Sequence, residues 1–218
     1  MNPVTSSLWI SAKVSVLAAA ISLAVGLPLA WALARPRLRG KRLLDVLVNL
    51  PLVLPPSVLG YYLLVLLGRD GPVGRLSLAL SGSTLVFTQA GAVVAATVVA
   101  LPLFVQAARN ALEDVPADVV EAARVDGASR WQLATSIVLP LAWPGIWTGV
   151  LLAYARGLGE FGATLMVAGN IPGRTQTMAL AIYSAVQAGQ SGIANGLALL
   201  LTAVGGLSLW LALRFRRR

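Results

Sequence analysis

Residues 121–140 read EAARVDGASRWQLATSIVLP and separate two apolar segments that are long enough to cross a membrane. The stretch contains a Glu-Ala-Ala triplet, a glycine and a Leu-Pro pair, at Glu121, Ala122, Ala123, Gly127, Leu139 and Pro140. Glycine readily adopts the left-handed backbone that ends a helix, so Gly127 predicts a helix stop or a tight turn. The two adjacent alanines predict a face that another surface can approach closely.

The composition of the chain is that of a membrane protein. Of its 218 residues, 57% are hydrophobic and 11% are charged, with a mean hydropathy of +0.80, whereas a soluble domain carries about 25% charged residues. The chain contains no cysteine and no histidine, which excludes disulfides, Cys/His zinc sites and histidine-based catalysis. We therefore expect no metal site. The net charge of +9 does not indicate nucleic-acid binding, because the basic residues cluster at the ends of apolar segments.

Five apolar segments approach the length of about 20 residues that a membrane-spanning helix needs. They lie at about 8–34, 43–67, 84–108, 137–155 and 193–213. The second segment contains Pro51, Pro55 and Pro56, which remove backbone donors and are expected to kink or break its helix. Residues 1–218 are thus predicted to form a single all-α, polytopic membrane domain.

The distribution of basic residues predicts the orientation of the spans. Segment 35–42 carries five cations, the C-terminal tail carries four, and segment 109–136 carries three, so these segments hold 12 of the 17 cations. By the positive-inside rule all three face the cytoplasm, which places the N-terminus outside and the C-terminus inside. Both ends of segment 156–192 must then lie on the outer side, so this segment cannot cross the membrane once. Its apolar part at about 175–187 predicts a short outer-side helix.

The spacing of the Glu-Ala-Ala triplet, Gly127 and the Leu-Pro pair resembles the EAA loop of importer permeases in the ATP-binding cassette (ABC) family. In that family the loop docks the membrane subunit onto a separate ATPase. The resemblance implies an ABC importer permease fold, with residues 109–136 as a cytoplasmic coupling loop. It gives an ATPase-coupling role to Glu121, Ala122, Ala123, Gly127, Leu139 and Pro140. The alternative is a solvated connector, which a short acidic loop alone would favour; the match in both residues and spacing favours the coupling loop.

A second signature narrows the resemblance. Residues 156–177 read RGLGEFGATLMVAGNIPGRTQT, a run that closely resembles permeases of the molybdate branch and more loosely those of the sulfate branch. Residues 50–56, LPLVLPP, are also similar to the molybdate branch. The resemblance implies the non-catalytic transmembrane subunit of an ATP-driven molybdate importer, with a sulfate or tungstate permease as the alternative.

This second signature also contains the candidate pore or gate residues, which are Arg156, Glu160, Thr164, Asn170 and Gln176. A tetrahedral dianion loses hydration in a pore and needs hydrogen-bond donors there, which threonine, asparagine and glutamine supply. Arg156 and Glu160 stand four residues apart. The favoured interpretation of this pair is an ion pair that orders a helix end; the alternative is a gate or an anion-attracting element.

The resemblance also implies partners. It predicts a homodimer with the pore at its interface, two copies of an ATP-binding subunit that use ATP-Mg, and a periplasmic or lipid-tethered molybdate-binding protein. The location implied is a bacterial or archaeal cytoplasmic membrane. No cofactor is expected in this chain, whose Gly40-Lys41 pair lacks the remaining residues of a phosphate-binding loop. An intramembrane enzyme acting on lipids would need a cluster of titratable groups, and a free-standing channel would have no use for the EAA pattern.

Overall fold

The computed structural model describes residues 3–35 and 39–216, and within these ranges the chain forms helices and no β-strand. The helices are α1 Pro3–Ala34, α2 Lys41–Val53, α3 Pro56–Leu67, α4 Pro72–Ser81, α5 Gln89–Glu113, α6 Ala117–Val125, α7 Arg130–Gln132, a π-helical turn Leu133–Val138, α8 Leu139–Leu158, α9 Gly162–Ala168, α10 Met178–Gln187 and α11 Ser191–Arg216. Three of the cations used to predict the orientation, Arg37, Arg217 and Arg218, lie outside the described residues.

Among the described residues, four continuous helices are long and apolar enough to cross a membrane: α1, α5, the combined helix 130–158 and α11. The second predicted span is instead a pair of helices, α2 and α3, with a bend of 114° at the break between them. The break falls at Leu54 and Pro55, and Pro55 and Pro56 lack the backbone N–H groups that would continue the helix. The expected break is thus confirmed at Pro55 and Pro56, whereas Pro51 lies inside α2. By length and composition, the described residues form five spans when this bent pair is one of them.

Several helix boundaries differ from those expected. Helix α5 begins at Gln89 rather than near residue 84, because the Thr88 hydroxyl caps it by accepting a 3.2 Å hydrogen bond from the Gly91 N–H. It continues to Glu113, so the first residues assigned to the cytoplasmic loop are helical. Helix α10 starts at Met178 after a Thr177 cap, three residues later than expected. Two short helices, α4 and α9, have no counterpart in the sequence-based prediction.

The spans pack around α5 through small residues. Phe104 of α5 is fully buried, and it lies where a side chain at Gly26 of α1 or Gly149 of α8 would be. Gly145 of α8 faces Ala111 of α5 in the same way. Glycines let helix backbones approach closely in lipid, where packing rather than water exclusion holds helices together. Helix α5 is therefore the centre of the bundle, with α1 and α8 on its flanks.

Candidate functional site

The Glu-Ala-Ala triplet lies on α6, an isolated short helix at one end of the bundle. Helix α6 ends in a Schellman turn, in which the Ala128 N–H donates to the Ala123 carbonyl at 3.0 Å and the Gly127 N–H donates to the Arg124 carbonyl at 3.1 Å. Gly127 has φ +86° there, in the left-handed region. The prediction that Gly127 ends a helix is confirmed, and the reason is its backbone conformation, since a side chain at this position would meet open space.

The segment after Gly127 forms one continuous helix with the fourth span. Ser129 and Gln132 make a capping box, in which the Ser129 hydroxyl accepts from the Gln132 N–H at 3.3 Å and the Gln132 side chain accepts from the Ser129 N–H at 2.8 Å. From this cap the helix runs through the π-helical turn to Leu158. The Leu-Pro pair therefore lies inside the helix, in the first turn of α8, and the span expected at 137–155 is part of a 29-residue helix.

The surface formed by α6 and the start of this long helix is uncovered. Helix α6 has no buried residue, and three large apolar side chains stand out from the surface: Val125 is 88% exposed, Trp131 76% and Val119 42%. Glu121 and Ala122 are exposed, and Ala123 is half-buried. We call this area, residues 117–131, the coupling surface. Apolar side chains exposed on a short polar helix and at the start of the next one indicate a site of protein interaction.

At the opposite end of the long helix, Arg156 and Glu160 form an ion pair. The Arg156 guanidinium lies 2.9 Å from the Glu160 carboxylate, which is 2% exposed. The other carboxylate oxygen accepts a 2.8 Å hydrogen bond from the Ala163 N–H in the first turn of α9. Glu160 thereby connects the end of α8 to the start of α9. This geometry is that of an ion pair ordering a helix end; the gate role remains a prediction.

Two of the other candidate pore residues, Asn170 and Gln176, form a hydrogen-bond network with Ser184 of α10. The Gln176 side-chain amide donates to the Asn170 oxygen at 2.9 Å, and the Asn170 amide donates to the Ser184 hydroxyl at 2.8 Å. Thr164 is 1% exposed within the chain. To bind an anion in the predicted pore, Asn170 and Gln176 would have to give up their hydrogen bond to each other. The sequence indicated donors at these positions, and the structure adds that they hold the loop before α10.

Two further groups of polar contacts involve partners that the sequence did not identify. Near the Arg156 end, the Lys13 ammonium donates to the Gln89 side-chain oxygen at 3.0 Å, and the Gln89 amide donates to the Arg174 carbonyl at 2.9 Å. Near the coupling surface, Arg109 pairs with Asp45 at 3.1 Å and with Glu113 at 2.9 Å. The signal for the first was a lysine within an otherwise apolar span, since such residues normally have a partner.

Comparison with known proteins identifies the family. A family model described as "Binding-protein-dependent transport system inner membrane component" matches residues 22–218. The chain belongs to this family. It is therefore a permease, a multi-pass component of the inner membrane, and the membrane part of its system rather than a catalytic one. Such a permease works with an ATPase and a substrate-binding protein. The predicted membership of the importer permeases is confirmed, and the coupling role of the Glu-Ala-Ala triplet stays a prediction.

Curated relatives cover most of the permease. It is 46% identical over 223 residues to the molybdenum transport system permease protein ModB of Escherichia coli K12, which covers 100% of this chain and 97% of that protein. It is 42% identical over 193 residues to the putative molybdenum transport system permease protein YvgM of Bacillus subtilis 168, covering 88% and 83%. A probable sulfate transport system permease protein, cysT of Chlorella vulgaris, is 32% identical over 187 residues, covering 85% and 70%.

Solved structures support the same fold. The permease matches a chain of the inward-facing MetNI methionine ABC transporter with a TM-score of 0.76 at 21% identity, covering 100% of this chain and 98% of that one. It matches a bacterial ABC transporter involved in alginate import with a TM-score of 0.75 at 16% identity, covering 100% and 80%. At these identities the likeness establishes the ABC importer permease fold alone.

Proposed function

We propose that this permease is the transmembrane subunit of an ATP-driven molybdate importer. The observation that carries the proposal is the 46% identity, over the whole chain, to a molybdenum transport permease. The sulfate relative is more distant, at 32%, and the GEFGAT and NIPG runs at 159–164 and 170–173 favour the same branch. A sulfate or tungstate permease is the alternative.

In this proposal the coupling surface docks onto the ATPase. Val119, Val125 and Trp131 supply exposed apolar side chains, and the αL turn at Gly127 gives the surface its compact end. ATP binding by two ATPase copies draws the coupling surfaces of two permeases together, and ATP-Mg hydrolysis releases them. Because Arg130 to Leu158 is one helix, movement at the coupling surface is transmitted to the Arg156–Glu160 pair.

The anion moves between the two permeases of a homodimer, delivered by a periplasmic or lipid-tethered binding protein on the Arg156 side. Conduction requires the anion to leave as well as enter, so this path should hold it weakly. Selection between anions then resides mostly in the binding protein. The N-terminus lies outside and the C-terminus in the cytoplasm.

The substrate assignment is tested by anion-stimulated ATPase activity. We expect molybdate and tungstate to stimulate the reconstituted complex with its binding protein at similar concentrations, because the two tetrahedral dianions are nearly equal in size. Sulfate is smaller and leaves a site built for the larger anions with longer hydrogen bonds, so we expect it to need a concentration at least about tenfold higher. Equal stimulation by sulfate would replace the molybdate assignment with the sulfate alternative.

The orientation is tested by single cysteines, which are the only reactive thiols because the chain has none of its own. Arg39, Asp126 and Arg174 are exposed positions for these labels. We expect Arg39→Cys and Asp126→Cys to react with a membrane-impermeant maleimide only from the cytoplasm, and Arg174→Cys only from outside. Labelling of Asp126→Cys from outside would invert the proposed topology and place the coupling surface on the wrong side for an ATPase.

A further inference from the structure

A basic cavity lies between the coupling surface and the ends of α1 and α5. Its volume is about 900 Å³, and its wall contains three arginines, Arg35, Arg124 and Arg130. The rest of the wall is apolar, with Leu112 and Leu133 among its members, and no acidic side chain is among the residues that line it. The cavity is large enough for a polar headgroup and carries three positive charges.

None of the three arginines has an ion-pair partner among the described residues. In the part of the chain that the structure describes, Arg35, Arg124 and Arg130 make no ion pair, whereas the neighbouring Arg109 pairs with both Asp45 and Glu113. Three like charges around one cavity repel one another unless an anion joins them. The electrostatics therefore point to an anionic occupant.

A second, apolar cavity adjoins the first. It has a volume of about 390 Å³ and lies between α1 and α8, lined by Leu23, Leu27, Pro28, Leu139 and Trp143. Trp31 lines both cavities. Tryptophan commonly lies at the boundary between headgroups and acyl chains, and here it marks the junction of a charged cavity and an apolar one.

We infer that the two cavities together bind an anionic phospholipid of the cytoplasmic leaflet. The headgroup phosphate lies among the three arginines, and an acyl chain lies along Leu23, Leu27 and Trp143. Basic pockets at the cytoplasmic ends of membrane helices bind anionic headgroups in this manner. A nucleotide or an acidic segment of the ATPase would fill the basic cavity but has no use for an apolar groove beside it. The inference rests on the proposed orientation, in which this end is cytoplasmic.

The lipid would connect three separate elements of the fold. Arg124 lies on α6, Arg130 starts the long helix and Arg35 follows α1. A shared phosphate would hold these three elements together at the base of the coupling surface. Anionic lipid would then strengthen the coupling of the ATPase to the permease without contacting either the ATPase or the substrate.

The binding test counts lipids on the intact permease–ATPase complex. The complex is purified from vesicles containing equal amounts of phosphatidylglycerol and phosphatidylethanolamine, and retained lipids are counted by native mass spectrometry. We expect preferential retention of phosphatidylglycerol, and about fivefold weaker retention for Arg35→Gln and again for Arg130→Gln. The matched control is Arg39→Gln, an exposed arginine near Arg35 that does not line the cavity, and it should retain lipid as the unaltered complex does.

A second measurement locates the acyl chain. Phosphatidylglycerol with brominated acyl chains should quench the fluorescence of Trp31 and Trp143, measured as the quenching lost in Trp31→Phe and Trp143→Phe. Glycerol phosphate should not compete, because it lacks the chain; competition at millimolar concentration would mean a free-anion site and overturn the lipid assignment. Unchanged lipid retention in the arginine variants, with weaker ATPase binding instead, would assign the cavity to the ATPase. Cysteine labelling tests the orientation separately.

Discussion

Replacing Gly127 with valine is expected to uncouple the permease from its ATPase while leaving membrane insertion intact. Gly127 has φ +86°, a conformation that costs an L-residue about 1–2 kcal/mol, which lowers the equilibrium constant for forming the native turn by about 5–30-fold. No neighbouring atom lies within 4 Å of the added Cβ position, so the effect comes from the backbone rather than a clash. ATPase stimulation by the loaded binding protein should fall by a similar factor.

Two further variants isolate the cause. Gly127→Asn should retain most of the stimulation, because asparagine adopts the left-handed conformation more readily than other side chains. Gly189→Val places the same substitution in an equally open turn with φ +69°, between α10 and α11, and should leave coupling intact. Full stimulation in Gly127→Val, or equal loss in Gly189→Val, would contradict the assigned role of the coupling surface.

Replacing Arg156 with alanine is expected to destabilise the permease strongly. Glu160 is 2% exposed, and losing its partner leaves a buried carboxylate without a counter-charge, which costs about 3 kcal/mol or more. The connection between α8 and α9 depends on the same carboxylate, through its bond to the Ala163 N–H. Thermal unfolding of the detergent-solubilised permease, followed by tryptophan fluorescence, should begin at a clearly lower temperature.

Neutralising the glutamate separates structure from gating. In Glu160→Gln the amide oxygen can still accept the Ala163 bond, so the double variant Arg156→Ala with Glu160→Gln should recover most of the lost stability. If the pair serves only to order the helix end, the double variant should also transport. A stable double variant without transport would establish the gate role, and an Arg156→Ala variant as stable as the original would refute the structural role.

The sequence predicted well those features that depend on one residue or on a few consecutive residues. The proline break at residues 54 and 55 and the glycine stop at 127 follow from one residue's own backbone limits, and both were predictable. The family was predictable because the EAA spacing and the GEFGAT run are continuous in sequence. The ends of α5 and of the long helix were not predictable from the sequence. An apolar segment shows which residues lie in lipid, but it does not show where the helical hydrogen bonds end. Helix α5 continues past Ala108 into polar residues, and the long helix begins at Arg130, well before residue 137.

The polar contacts were the least predictable part of the site. Asn170 and Gln176 were correctly noted as hydrogen-bond donors, but their partner Ser184 lies on α10 and became adjacent only through the turn at Gly173. Lys13 and Gln89 lie 76 residues apart in the chain. No periodicity links such positions, since their proximity results from the packing of three separate helices.

The continuous helix from Arg130 to Leu158 converts a small tilt at one end into a larger displacement at the other. At 1.5 Å per residue, its 29 residues extend about 44 Å, which exceeds the thickness of the hydrocarbon core. The π-helical turn near its base departs from regular α-helical geometry, and a tilt of about 5° there would move the far end by about 3 Å. A displacement of that size is comparable to the distance between an anion and the atoms that donate hydrogen bonds to it. In the proposed mechanism, a small bend at the ATPase end of this helix is therefore enough to open or close the anion path on the other side of the membrane.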